Sequence, residues 1–335
     1  VANSQHKMYF SYNGGPVFDL SIKPKNTAAS SAQSAAATAP VTAPDGPTDV
    51  AASTVPNPKE EASPTAVASD ADDPADYARR GEAFESRRDF DQALTALNRA
   101  CDLAPDNAEY VYRRGLLHEE LKQLAPAMAD FDRSLQLRPN DLNTLLARAE
   151  LKIRTGDKPG GRMDLDAADA IAPKQANERF RMALAYEHAD QFDPAISQMN
   201  LWIDSHGEDA RLPNVLNERC WIRGLGGMDF PLALKDCNSA MRLTDKSSSL
   251  YARIADSRGL ILLRMGDFNK SIADYDTAVK LNPKDAWAWY GRGIDKLRSG
   301  RAQQGNADIA QAVTLWPRVA EEYKRLGIIS DVPTP

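Results

Sequence analysis

An all-α solenoid of stacked helical hairpins is the fold this sequence predicts, and three observations predict it. A unit of 34 residues recurs seven times between positions 74 and 319. Small side chains return at its eighth, twentieth and twenty-seventh positions, and a large, mostly apolar one at its twenty-fourth. Proline returns at the end of the unit, as Pro105, Pro139, Pro173, Pro283 and Pro317, where it stops a second helix. A hairpin cannot bury its apolar stripe alone, so neighbours stack and the core runs along the array.

Residues 1–26 come first and differ from the rest. In Lys7 to Tyr12 and Val17 to Ile22, β-branched and aromatic residues alternate with polar ones around Asn13-Gly14-Gly15-Pro16, which reads as strand, turn, strand. Two such strands are marginal alone, so they are expected to end a larger β domain whose remainder lies before Val1. From Thr27 to Asp73, Ala, Ser, Thr and Pro dominate and aromatics are absent. Such a composition builds no core and predicts a disordered tether with a reach of about 40 Å.

The repeats follow over 74–330. The copies are 74–107, 108–141, 142–175, 176–209, 214–247, 252–285 and 286–319, with short insertions at 210–213 and 248–251. Position eight reads Gly81, Gly115, Ala149, Ala183, Trp221, Gly259 and Gly293, and position twenty-four reads Leu97, Phe131, Leu165, Met199, Cys237, Tyr275 and Ile309. A small residue facing a large one lets the two helices of a hairpin approach. Trp221 breaks that rule in the fifth copy, and Trp202 stands at an alanine position in the fourth; both are expected to splay a hairpin or fill a local gap. Residues 320–328, with Tyr323, Leu326 and Ile328, predict a capping helix.

Composition narrows the function. The 335 residues are 42% hydrophobic, enough for a long core, and the net charge of −6 argues against nucleic acid. No run of eighteen apolar residues is present to span a membrane. The chain opens without a charged and apolar leader, as expected of a processed product or a fragment. The 3 cysteines and 4 histidines form no metal-ligand spacing, and His118-Glu119-Glu120 lacks the second histidine of a zinc helix. No phosphate loop or nucleophile elbow occurs. No cofactor, no metal and no enzymatic activity are therefore expected of this chain.

Period, small positions and terminal proline together resemble the tetratricopeptide (TPR) repeat family, from residue 74 to about 330. That resemblance implies protein or peptide binding on an inner wall built by positions two, five, six, nine, twelve and thirteen of each first helix. Here those positions supply Tyr112, Arg113 and Leu116, then Leu146, then Phe180, Arg181 and Leu184. Arg219 and Ile222, Leu260, and finally Trp287, Tyr290 and Ile294 complete the wall. It reads as an apolar stripe flanked by Arg113, Arg181 and Arg219, suited to an extended peptide with apolar anchors and an acidic residue. Binding of chaperone C-terminal tails is not expected, because Ala78, Glu82 and Arg113 stand where the family's Asn and Lys clamp would be.

Position seven carries Arg80, Arg114, Arg148, Arg258 and Arg292. Sixteen residues beyond the last four stand Asp130, Asp164, Asp274 and Asp308, which predicts an ion pair inside each hairpin rather than a basic ladder for ligands. Cys220 and Cys237, at positions seven and twenty-four, face one another across the fifth hairpin and form a possible disulfide if the protein is exported; buried thiols are the alternative.

The stretch from Val1 to Phe18, with Lys7-Met8-Tyr9-Phe10-Ser11-Tyr12 before Asn13-Gly14-Gly15-Pro16, resembles the last hairpin of bacterial retropepsin-like aspartic protease domains that are joined to TPR arrays in exported proteins. The resemblance implies a second reading, in which this chain is the recruiting part of such a protease, periplasmic or secreted, with a cytoplasmic location as the alternative. Neither Asp-Thr-Gly nor Asp-Ser-Gly occurs, so the paired carboxylates of that chemistry are not supplied by this chain.

Overall fold

A computed structural model describes residues 73–329, together with the backbone of Tyr9–Phe10 (β1) and Phe18–Asp19 (β2). β1 and β2 pair antiparallel, with Tyr9 opposite Asp19 and Phe10 opposite Phe18. The expected tether and the rest of the expected hairpin lie outside the described residues.

From Asp73 onward the described chain is all helix and turn. Seven hairpins follow one another: α1 (Pro74–Ser86) with α2 (Phe90–Leu103), α3 (Ala108–Glu120) with α4 (Leu124–Leu137), and α5 (Leu142–Arg154) with α6 (Lys158–Ile171). Then come α7 (Glu178–His188) with α8 (Phe192–Ser205), α9 (Leu212–Gly226) with α10 (Phe230–Arg242), α11 (Ser249–Met265) with α12 (Phe268–Leu281), and α13 (Ala286–Arg298) with α14 (Ala302–Leu315). α15 (Val319–Arg325) closes the array. The two expected insertions do not form separate loops. They lengthen the following first helices, so that α9 starts at Leu212 and α11, of 17 residues, at Ser249. The cap also starts one residue early and ends by Arg325, where Gly327 turns the chain at φ 61°.

Local chemistry sets these boundaries. Asp73, Asn107, Asp141, Asp157, Ser248 and Asp285 cap helix N-termini by accepting from backbone N–H groups one turn in. Each of the five prolines lies two residues beyond a second helix. The turn inside each hairpin needs a left-handed residue. Gly156, Gly266 and Gly300 supply it at no steric cost, whereas Arg88, Lys122 and Asp190 adopt it at φ near 60°.

Inside each hairpin the small eighth position meets the large twenty-fourth. A Cβ on Gly115 would come within 2.8 Å of the Phe131 ring, and one on Gly259 within 2.8 Å of Tyr275. Leu97, Phe131, Leu165, Met199, Tyr275 and Ile309 are all buried. First helices also touch directly, α5 with α7, α9 with α11 and α11 with α13, so that they share one face of the stack.

Candidate peptide-binding face

The arginines of position seven are structural. Nε and Nη2 of Arg114 grip Asp130 at 2.9 and 2.7 Å, those of Arg148 grip Asp164 at 2.9 and 2.7 Å, those of Arg258 grip Asp274 at 2.7 and 2.6 Å, and those of Arg292 grip Asp308 at 2.7 and 2.8 Å. The remaining Nη1 of each donates backward to the preceding hairpin, reaching Asn98, Asp132, Asn238 and Asp276 at 2.7 to 3.2 Å. One rigid guanidinium fork therefore ties three helices. A further cation one turn along joins two of these acids, Lys152 on Asp164 at 2.8 Å and Lys296 on Asp308 at 2.7 Å. The backward partner was legible at position twenty-five, which is Asn or Asp in the first six copies. Arg80 differs, because Ala96 replaces the acid; its guanidinium lies 5.3 Å from the Tyr77 ring.

Arg219 was expected on the ligand wall and instead repeats this tie, gripping Asp236 at 2.8 and 2.6 Å and Asn200 at 2.7 Å. The reason is a one-residue slip in α9: its arginine and acid are 17 residues apart rather than 16. The same slip moves Cys220 into the small eighth position and Trp221 into the ninth, so Trp221 does not stand where glycine stands elsewhere. Cys220 and Cys237 are bonded, with Cα atoms 5.7 Å apart, and a covalent link replaces the small-against-large contact of the other hairpins. Cys101 is a buried free thiol. Trp202 fills rather than splays: it stacks on His206 at 4.5 Å and lies under Arg211 at 5.0 Å.

Burial divides the remaining wall residues. Leu146, Ile222, Leu260 and Ile294 are core, as are Tyr112, Trp287 and Tyr290. Leu146 and Ile222 pack in the core cluster shared by the second to fifth hairpins, and Tyr112 packs on Phe131 with ring centroids 6.1 Å apart. Trp287 and Tyr290 lie beneath the cap, where Tyr323 packs at 4.6 and 4.8 Å from them. Burial also pushes the Tyr112 hydroxyl up to about 12. Leu116, Phe180 and Leu184 remain half-buried, lining the first-helix face of the second to fourth hairpins. The flanking arginines there are occupied: Arg181 forms a fork on Glu150 at 2.6 Å for each bond, and Arg113 pairs with Glu82 and Glu109. In both cases the acid lies 31 residues earlier, on the previous first helix, a spacing visible in the sequence.

Acids accumulate further along this face. Burial, with Glu218 and Asp190 nearby, pushes Glu187 up to about 8, although Trp221 donates to it. Burial and the neighbouring Asp285 raise Asp256. At the other end, burial and Glu120 push Glu85 up to about 7. Among the described residues no group of His, Cys, Asp and Glu is placed to hold a metal, and no helix is long and apolar enough to cross a membrane.

Asp295, fully buried in α13, is pushed up to about 7 by burial, against the opposing influence of the Ser271 hydroxyl and Arg298. Its folded pKa exceeds its unfolded one, so its favourable contribution is complete below about pH 4 and is lost as pH rises through 7. Asp295→Asn is expected to stabilise the protein at pH 8 by on the order of 2 kcal/mol, since the buried amide offsets part of the gain, and to do little at pH 4. Melting curves at the two pH values check this; equal shifts at both would contradict it.

This architecture, stacked helical hairpins sharing a first-helix face, defines a helical-repeat solenoid. Residues 79–141 match the family model for the tetratricopeptide repeat and residues 259–294 that for the TPR repeat, so these stretches of the solenoid carry TPR repeats. It is 22% identical over 237 residues to a peroxisomal targeting signal receptor of Candida albicans, covering 69% of this chain and 39% of that one. It is 19% identical over 252 residues to the Hsp70-Hsp90 organizing protein of Triticum aestivum, covering 74% and 36%. The chain thus spans less than half the length of these curated relatives. A tetratricopeptide repeat protein from Parabacteroides merdae has the same fold, with a TM-score of 0.57 and 15% identity over 76% of this chain and 98% of that one.

Proposed function

We propose that this chain is a scaffold that binds an extended segment of a partner protein along the first-helix face of its second to fourth hairpins. The observation that carries the reading is the half-buried strip of Leu116, Phe180 and Leu184, set between two ion-paired arginines. Because Arg113 and Arg181 already hold carboxylates, apolar anchoring dominates there and an acidic ligand residue gains little. The chaperone-tail mode is not favoured, since its Asn and Lys positions are filled by other residues.

An oxidising compartment, periplasmic or extracellular, accords with the Cys220–Cys237 bond. The recruiting role beside an aspartic protease rests on the resemblance of residues 1–18 alone; no described side chain bears on it.

The test is capture of a partner from the native host by the immobilised chain. The double variant Leu116→Asp, Leu184→Asp should reduce the captured partner at least about tenfold, the effect of losing one or two anchors, while the far-UV spectrum stays helical. Undiminished capture by a folded double variant would sink the reading.

A further inference from the structure

The cap helix does more than cover the last hairpin. Its Tyr323 packs against Trp287 and Tyr290 and donates its hydroxyl to the Trp287 carbonyl at 2.9 Å. Two residues on, Arg325 leaves that hairpin: its Nη1 donates at 2.9 Å to Asp190, 135 residues away in the turn between α7 and α8. Lys158 holds the other oxygen of the same carboxylate at 2.5 Å. Trp221 links the two ends, lying edge-on to Trp287 with centroids 5.3 Å apart and donating to Glu187. A cap needs only to shield the apolar side of its own neighbour. The reach to the fourth hairpin needs another reason, and so does an arginine shared between Glu322 of its own helix, at 2.7 Å, and Asp190.

We propose that α15 is a tethered pseudo-ligand. Tyr323 and Arg325 hold the places that an aromatic residue and, two positions later, a basic residue of a partner segment take when α15 swings aside. The face of the fourth to seventh hairpins is then a site for aromatic-plus-basic segments, occluded at rest by the chain itself. This rests on the first-helix face being a binding surface, and it gives that surface a second half with the opposite charge preference to the one the sequence suggested. Several features support the choice of ligand. The seat already holds a guanidinium; its floor is aromatic, with Trp221, Trp287 and Tyr290; and the Asp190 carboxylate would disfavour an acidic segment. Tethering makes α15 a competitor at high effective concentration, so an outside segment binds with an apparent affinity reduced by the fraction of time the seat is free.

The experiment uses the full chain and a labelled peptide copying residues 319–327, with binding read by fluorescence anisotropy. Arg325→Ala, which leaves a 45% exposed side-chain site, should bind the peptide about fivefold more tightly than the parent, the factor a partly exposed ion pair supports. Asp190→Asn also breaks the clasp, and asparagine accepts the left-handed backbone there, yet it should bind no more tightly than the parent because the receiving carboxylate is gone. Hydrogen exchange of α15 should quicken in both variants. A peptide with glutamate in place of its arginine should not bind. Peptide binding to none of the proteins, equal tightening by both variants, or unchanged affinity in Arg325→Ala would each overturn the proposal. Partner capture through Leu116 and Leu184 reports separately on the underlying reading: capture that persists while the peptide results fail removes the pseudo-ligand alone.

Discussion

Asp308→Ala should destabilise the last hairpin by about 3 to 5 kcal/mol, because it strands two cations in a nearly dry site. Asp308 is 7% exposed at its side chain and holds Arg292, at 11%, and Lys296, at 13%. Neither cation has another buried acid to turn to; Arg292 keeps only Asp276, which is 56% exposed. Asp276→Ala is the internal control and should cost less than about 1 kcal/mol, as exposed pairs do. In a solenoid the loss should be local, so hydrogen exchange across α13, α14 and α15 should accelerate well before the first hairpins respond. The melting temperature of the C-terminal part should fall by roughly 10 °C at 2 to 4 °C per kcal/mol. Equal effects of the two substitutions would show that burial does not set the strength of these ties.

Reduction of the Cys220–Cys237 bond should cost about 3 kcal/mol, the loop-closure value for a separation near 15 residues; the separation here is 17. The effect should centre on α9 and α10. Denaturing alkylation before reduction should label Cys101 alone, and after reduction all three cysteines. A melting curve indifferent to reductant, with three cysteines labelled in both cases, would exclude the bridge.

The hairpin stack was legible because its determinants are periodic and local: the eighth and twenty-fourth positions, the capping acids and the terminal prolines all repeat at one spacing. The internal pairing of Arg114, Arg148, Arg258 and Arg292 was legible for the same reason, since a constant offset of sixteen residues places two side chains at one level of a hairpin. The fifth hairpin hid its partners because one extra residue in α9 shifts every offset. Arg219 then looked like a ligand contact and Trp221 like a misplaced core residue. The wall was harder to read. Whether Leu146 or Leu184 is free depends on what the neighbouring hairpin packs against it, and that neighbour lies a whole repeat away. Trp287 and Tyr290 depended on where the cap would lie, which no period encodes.

The backward reach of each arginine also makes the array directional. Each following hairpin that carries the arginine draws on an amide or carboxylate at position twenty-five of its predecessor, whereas the fourth, with Met182 in that place, donates the Tyr186 hydroxyl to Asp166. The seventh hairpin carries Ala310 at position twenty-five. The arginine of a unit joined after it would find no acceptor at that position. A unit copied from the third, which has both Asp164 and Asp166, could be spliced into the row and would accept neighbours on either side. The ion ties thus act as a joining grammar that distinguishes modules able to receive a successor's arginine from one that is not, independently of the apolar core that makes them stack.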